Sequence, residues 1–244
     1  DKPVGRKKII TPPTIKLVAQ KHNIKVYQPE KLEIGNWKLE IGEIDFAVVA
    51  AYSKILPKEI LDIPRLGTIG VHPSLLPKYR GASPIQSAIL NGDEKTGTTL
   101  YLMDEKIDNG PILATSNLPL ATSDNYQKLA EKLAELSANL LIEFLENKIN
   151  PLPRNAHENA LRGVPQDETQ ATFTKKFTTE DGFVDLEKDN PIKIERKIRA
   201  LNPEPGVWTM KDGKRMKVLE AELGANSKLV LKKIQFEGKK TQEL

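Results

Sequence analysis

Two side chains, His72 and Asp108, carry the chemistry that this sequence is best equipped to do. His72 follows the apolar run 68–71, which reads as a short buried strand. In open α/β sheets ligands bind at the carboxyl ends of the strands, so this run delivers an imidazole to a binding edge. Pro73 and Pro77 stiffen the loop that follows. Ser74, Leu75, Leu76 and Pro77 are therefore expected to present backbone donors and acceptors in a fixed shape, suited to a flat heterocycle. Asp108 comes 36 residues after His72, just before Asn109 and Gly110. A strand–helix–strand unit takes about 30 residues or more, so both side chains can meet at one edge of neighbouring strands. A carboxylate there is expected to raise the imidazole pKa and orient the ring. Such a pair can stabilise an oxyanion and move protons in acyl transfer. Each residue also has a plainer reading: His72 as a hydrogen-bonded loop residue, Asp108 as a turn initiator.

The elements that must position this pair are legible from periodicity. Residues 45–50 form a nearly continuous apolar run, expected as a strand covered on both faces. Residues 98–103 are a further strand candidate, and 25–27 a short one. A helix is expected after Pro12 and Pro13, with Ile15, Val18 and Ala19 on one face. Another is expected near 84–90, ended by Asn91 and Gly92. The clearest helix is 125–147, where Leu129, Leu133, Leu136, Leu140 and Phe144 make one apolar stripe. Asp124 and Gln127 resemble a capping box at its start. Alternating strands and helices predict an α/β, Rossmann-like domain with a mostly parallel sheet over 1–150. Pro151, Pro153, Gly163 and Pro165 mark a linker over 151–170. Short strand-like pieces over 171–244 suggest a small β-barrel or sandwich. One helix interrupts them, capped by Asn190 with Pro191 at its first position. Trp208 reads as a core residue.

Composition narrows the function classes. The 244 residues contain no cysteine, which excludes disulfides, thiolate nucleophiles and Cys-ligated zinc. Three histidines, scattered along the chain, do not suggest a metal site. No apolar run reaches the roughly 18 residues of a membrane span. The net charge of +4 permits a polyanionic partner. Residues 160–244 carry 17 Lys and Arg against 14 Asp and Glu, with doublets at Lys214-Arg215, Lys232-Lys233 and Lys239-Lys240. These doublets read equally as phosphate contacts and as solubilising charge.

The segment 67–86, GTIGVHPSLLPKYRGASPIQ, and the turn Asp108-Asn109-Gly110 resemble the folate-dependent formyltransferases that use 10-formyltetrahydrofolate. In that family an N-x-H motif precedes S-L-L-P, and an aspartate in a D-x-G turn completes the site. The resemblance implies that His72 polarises the formyl group and stabilises the tetrahedral intermediate, that Asp108 holds His72, and that Ser74, Leu75, Leu76 and Pro77 line the folate site. Three segments are similar to the methionyl-tRNA branch of the family. Asp1-Lys2-Pro3-Val4-Gly5-Arg6-Lys7-Lys8 resembles its basic loop, which implies that Arg6, Lys7 and Lys8 face tRNA. Arg80-Gly81-Ala82-Ser83-Pro84-Ile85-Gln86 resembles its R-G-A-[AS]-P-I-Q segment. Residues 195–203, with Pro205 and Gly206, resemble the signature of its second domain, an OB-like barrel expected over 171–244.

The resemblance thus implies a cytoplasmic bacterial enzyme, a monomer without a metal or a membrane anchor, that formylates initiator methionyl-tRNA; an organellar location stays open. Family members open with a strand, a helix and a second strand before the basic loop, and the natural protein is expected to have them. A sugar-nucleotide formyltransferase, or a non-catalytic folate- or tRNA-binding homologue, is the competing reading. One departure bears on catalysis: Gly70 stands where the motif has its asparagine and offers no side-chain donor. Losing such a donor costs about 2.7–4 kcal/mol of barrier, so Gly70→Asn is expected to speed the reaction.

Overall fold

The computed structural model describes residues 1–4, 8–29, 43–149, 152 and 161–244. The chain divides into two compact units, Asp1–Glu40 and Ile41–Leu244. In the first, β1 (Lys2–Val4) and β2 (Ile9–Thr11) pair antiparallel. The described residues on either side of the expected basic loop are thus paired, and Lys8 takes a positive φ of 48°. Helix α1 (Thr14–Lys21) starts after Pro13, which is its N-cap. None of its residues is buried. Residues 25–27 are irregular, not a strand.

The second unit is built on a four-stranded sheet of β3 (Ala47–Ala50), β4 (Thr68–His72), β6 (Lys95–Leu102) and β7 (Ile112–Pro119), in the order β3-β4-β6-β7. Only β3 and β4 run parallel; β4–β6 and β6–β7 are antiparallel. The expected mostly parallel sheet is therefore mixed among the described residues. Two antiparallel steps make it so: β6 returns beside β4 after the helix at 84–91, and β7, a polar strand that composition concealed, returns beside β6. Strand β3 also differs from expectation. Among the described residues it lies at the sheet edge with alternate residues exposed, Val48 among them, and is not covered on both faces.

Between the strands lie α2 (Lys58–Leu61), the two-residue β5 (Arg80–Gly81) and α3 (Pro84–Asn91). Gly92 closes α3 in the left-handed conformation, at φ 69°. Helix α4 (Tyr126–Phe144) ends in a π-helical turn, Leu145–Ile149. Its cap is Asn125, whose side chain accepts from Lys128 N, not the Asp124 of the expected capping box. Asp124 instead accepts from Ala121 N and binds Lys132. Its leucine stripe serves two cores. Leu129 and Leu133 join one buried cluster, while Leu140 and Phe144 pack in another with Leu66, Ile69 and Leu100 beneath β4 and β6.

Beyond β8 (Phe173–Thr174), helix α5 (Pro191–Leu201) begins as expected, with the Asn190 side chain accepting from Ile192 N and Lys193 N. Strands β9 (Trp208–Lys211), β10 (Lys214–Leu223), β11 (Leu229–Phe236) and β12 (Gln242–Glu243) form an antiparallel sheet in the order β12-β11-β10-β9. The expected OB-like barrel is thus an open sheet among the described residues, with β9 and β12 at its edges. Its core is shared: Ile194, Ile198, Val207, Met216 and Val218 pack with Ile89, Leu129 and Leu133. A continuous apolar cluster holds this sheet on α3 and α4. Polar ties reinforce it, Arg196 donating to Asn91 O and Arg199 to Asp124 O.

Trp208 is only half-buried. It stacks beside Phe183 at 4.9 Å, lies under Arg215 at 4.2 Å and donates to Thr179 O. It is a clasp at the edge of the sheet, where an indole can keep its polar end satisfied.

Candidate active site

Strand β4 ends at His72 and β6 runs antiparallel beside it, with Gly70 opposite Tyr101 and His72 opposite Thr99. His72 is buried, and its imidazole is tied by a hydrogen bond on one side and faces a carboxylate on the other. Nε2 lies 2.9 Å from Tyr79 O. A carbonyl can only accept, so Nε2 carries the proton and Nδ1 is the basic nitrogen of the neutral ring. Nδ1 faces Asp108 Oδ2 at 3.5 Å. The two residues expected to meet at one sheet edge do meet.

The expected rise in the imidazole pKa is reversed. Burial holds His72 below its ordinary 6.5, and the opposing pulls of the Asp108 charge and the Tyr79 carbonyl do not make up the difference. His72 is therefore neutral at pH 7 and ready to accept a proton. The same shift makes stability depend on pH. Below pH 6.5 the unfolded chain takes up a proton that the folded site resists, so stability present above 6.5 is lost as the pH falls towards the lower folded value. The urea midpoint should drop between about pH 7.5 and about pH 5.5, and drop less in His72→Gln.

Asp108 is fixed more firmly than a turn initiator needs. Oδ2 accepts from Gly81 N at 2.7 Å, and Oδ1 from the Tyr101 hydroxyl at 2.7 Å. Its backbone takes a positive φ of 49°, a region that Asp and Asn tolerate better than most residues. Gly110, two residues on, is required by close packing, because a Cβ there would collide with Leu102 O. Gln166 closes the turn from outside, donating to Asp108 O at 3.0 Å and Gly110 O at 2.8 Å.

The loop after His72 is held from within. Ser74 N donates to His72 O, Thr99 Oγ1 donates to Ser74 O and accepts from Leu76 N, and Lys78 N donates to Leu75 O. Of the backbone groups expected to face a heterocycle, Ser74 N and O, Leu75 O and Leu76 N thus bond to the loop or to Thr99, and Pro77 O accepts from Thr172 N. Ser74 and Leu76 turn inward and are buried, while Pro73, Leu75 and Pro77 stay half-exposed. The outward surface of the loop is an apolar, stiff wall.

Sequence reasoning missed four contributors. Tyr101 and Thr99 were read only as members of the strand candidate 98–103. Gln166 lay in the segment read as a linker, whose described part is bonded to the Asp108 turn. The fourth is the side chain of Arg80, which is 2% exposed. It donates to Gln166 Oε1 and to both Glu168 oxygens, at 2.7–3.1 Å. In return it holds the Glu168 carboxyl below its ordinary pKa, chiefly by hydrogen bonding. Beside it β5 pairs with β8, and Tyr79 N donates to Thr172 Oγ1. Arg80 thus clamps residues 166–174 beside the Asp108 turn. Arg80→Met should lower Tm by roughly 4–10 °C, measured by calorimetry, because buried donors and acceptors lose a shared partner.

Of the cationic residues expected to face tRNA, Arg6 and Lys7 lie outside the described residues, and Lys8 is exposed. Lys232 and Lys233 pair with Glu222, Glu220 and Glu243 along β10–β12, which lessens their use as phosphate contacts. Among the described residues, no group of acidic or histidine side chains could hold a metal ion, and no helix is long and apolar enough to cross a membrane.

Comparisons with known proteins find relatives along most of the chain. Residues 1–145 match the family described as formyl transferase, and residues 176–229 match its C-terminal domain. Methionyl-tRNA formyltransferase of Staphylococcus aureus (strain MW2) is 40% identical over 232 residues, which cover 94% of this chain and 71% of that protein. Among solved structures, methionyl-tRNA formyltransferase from Clostridium thermocellum superposes with a TM-score of 0.56 at 22% identity, over 79% of this chain and 77% of that one. HypX from Aquifex aeolicus, solved in complex with tetrahydrofolic acid, gives a TM-score of 0.62 at 20% identity. That alignment covers 82% of this chain but 37% of the larger protein, and at such identity both structures speak to fold.

Proposed function

From the premise that the chain belongs to the formyl transferase family, we propose that it moves the formyl group of 10-formyltetrahydrofolate to the amino group of methionine carried by initiator tRNA. The observation that carries this reading is the buried pair of a neutral His72 and a doubly held Asp108 at the end of β4. The folate supplies a formyl group on a nitrogen that can leave. The residues present fit such a ligand: Pro73, Leu75 and Pro77 offer an apolar wall to a flat ring, and Ser74 and Leu76 brace that wall from behind.

The chemistry asked of the protein is proton movement and charge stabilisation. An amine that attacks a formyl carbon must shed a proton. His72 takes it at Nδ1, because Tyr79 O keeps the other nitrogen protonated, and returns it to the departing folate nitrogen as the bond to the formyl carbon breaks. The imidazolium that results is stabilised by the Asp108 carboxylate beside it. Asp108 cannot swing away, because Gly81 N and the Tyr101 hydroxyl each hold one of its oxygens. Burial removes competing water and strengthens both contacts. Arg6, Lys7 and Lys8 are assigned to the tRNA end of the reaction, where cationic side chains give salt-dependent phosphate contacts.

The test supplies the intact protein with 10-formyltetrahydrofolate and initiator methionyl-tRNA. Formyl-methionyl-tRNA is the expected product, with slower formation in Arg6→Ala at raised salt. Formyl transfer to an amino sugar nucleotide and none to tRNA would overturn the reading.

A further inference from the structure

The geometry of one cross-strand pair points to a further residue of this site: Tyr101 is a positioning residue that fixes Asp108 against His72, and Gly70 is the opening that admits its ring. The inference rests on the formyl-transfer reading of His72 and Asp108 and adds a residue to it.

Gly70 on β4 and Tyr101 on β6 are directly paired. Side chains of directly opposed residues project from the same face of a sheet. A Cβ built on Gly70 would lie 2.5 Å from Tyr101 Cζ and 2.8 Å from Oη. Real atoms do not approach that closely, so any side chain at 70 would exclude the ring. With Gly70 in place the ring lies across β4, and its hydroxyl reaches Asp108 Oδ1 at 2.7 Å. Tyr101 is 4% exposed, so water does not compete for this bond. The other carboxylate oxygen, Oδ2, accepts from Gly81 N and is the one that faces Nδ1 of His72. One donor on each oxygen fixes the plane of the carboxylate. Without the hydroxyl, Oδ1 loses its donor and the carboxylate is free to turn about its Cβ–Cγ bond. Burial and the neighbouring Asp108 charge both push the phenol pKa upward, so Tyr101 remains a donor throughout the working range.

The glycine at the motif's asparagine position therefore belongs with the tyrosine opposite it, and the two act as one unit. Gly70→Asn, expected from sequence to add a donor, instead displaces Tyr101.

Tyr101→Phe keeps the ring and removes the hydroxyl. In the intact protein it should lower kcat by about ten- to a hundredfold and leave KM for folate and tRNA within about twofold. Gly70→Ala should lower both Tm and kcat by crowding the ring. Gly70→Ala combined with Tyr101→Leu should recover Tm but not kcat; a merely structural pair would recover both. An activity-independent readout is the exchange-protected hydroxyl proton of Tyr101 in the NMR spectrum, expected in the natural protein and absent from Tyr101→Phe. Full kcat in Tyr101→Phe, full kcat in the double variant, or no protected hydroxyl proton would each overturn the proposal. A protected proton in a protein that transfers no formyl group would count against the formyl-transfer reading instead, and leave the Tyr101–Asp108 geometry standing.

Discussion

His72→Ala should slow formyl transfer by about 10²–10⁴-fold while KM for the folate and for tRNA changes little. The range is that of general acid–base catalysis by a placed side chain. Its origin here is specific. Nε2 is tied to the Tyr79 carbonyl, burial keeps the ring neutral, and Nδ1 is left as the base beside Asp108. The alanine variant loses that base and leaves the Tyr79 carbonyl without its donor. His72→Gln can still donate to that carbonyl but offers no basic nitrogen, so it separates the two losses. Steady-state kinetics with both variants checks this: kcat should fall alike in both, while Tm should fall less in His72→Gln. A glutamine variant with most of the natural kcat would show that the imidazole only holds the loop.

Asp108→Asn should cost a comparable factor, again about 10²–10⁴-fold in kcat. Asparagine tolerates the positive φ of 49° that Asp108 adopts, so the backbone of the turn should survive. What changes is the pattern of donors and acceptors. The carboxylate accepts from Tyr101 Oη on one oxygen and from Gly81 N on the other. An amide has one oxygen, so it can serve one donor and must turn its NH2 towards the other. Two donors then face each other in a buried site, which also lowers stability. The negative charge that would stabilise an imidazolium is gone as well. Kinetics and calorimetry on the same preparation should show kcat and Tm falling together. In Tyr101→Phe, by contrast, kcat should fall with the smaller change in Tm, because the charge and the Gly81 contact remain.

Much of this site was readable from sequence, for reasons that differ from residue to residue. His72 and Asp108 were recognisable because both sit where a strand gives way to a Pro- or Gly-rich turn, and such ends are the functional edge of an α/β sheet. The α5 start was recognisable because Asn190 and Pro191 are local signals whose effect needs no distant partner. The strand from 112 to 119 was not recognisable. Its sequence, ILATSNLP, is polar in its middle, and its pairing with β6 supplies what its composition does not. The protonation state of His72 was misjudged because a neighbouring charge is visible in a sequence and burial is not. Tyr101 was missed for a related reason. A glycine in a strand signals a close approach by something, but only the register shows that the visitor is a tyrosine ring. Arg80 was read through its motif as a mark of substrate class; the described structure gives it work in holding residues 166–174.

The central claim is that formyl transfer runs through a neutral His72, and single-turnover formation of formyl-methionyl-tRNA from about pH 5 to about pH 8 tests it most directly. The attacking amine must also be neutral, and an α-amino group titrates near about 7.7–8.0. Below that value the natural protein should lose about tenfold in rate per pH unit. Below the pKa of His72, which lies under 6.5, the loss should steepen to about a hundredfold per unit as a second group protonates. His72→Ala should show the first slope alone, at a much lower rate, over the pH range in which both proteins stay folded. A natural protein that makes no formyl-methionyl-tRNA, or whose profile keeps the single slope of His72→Ala throughout, would contradict the account.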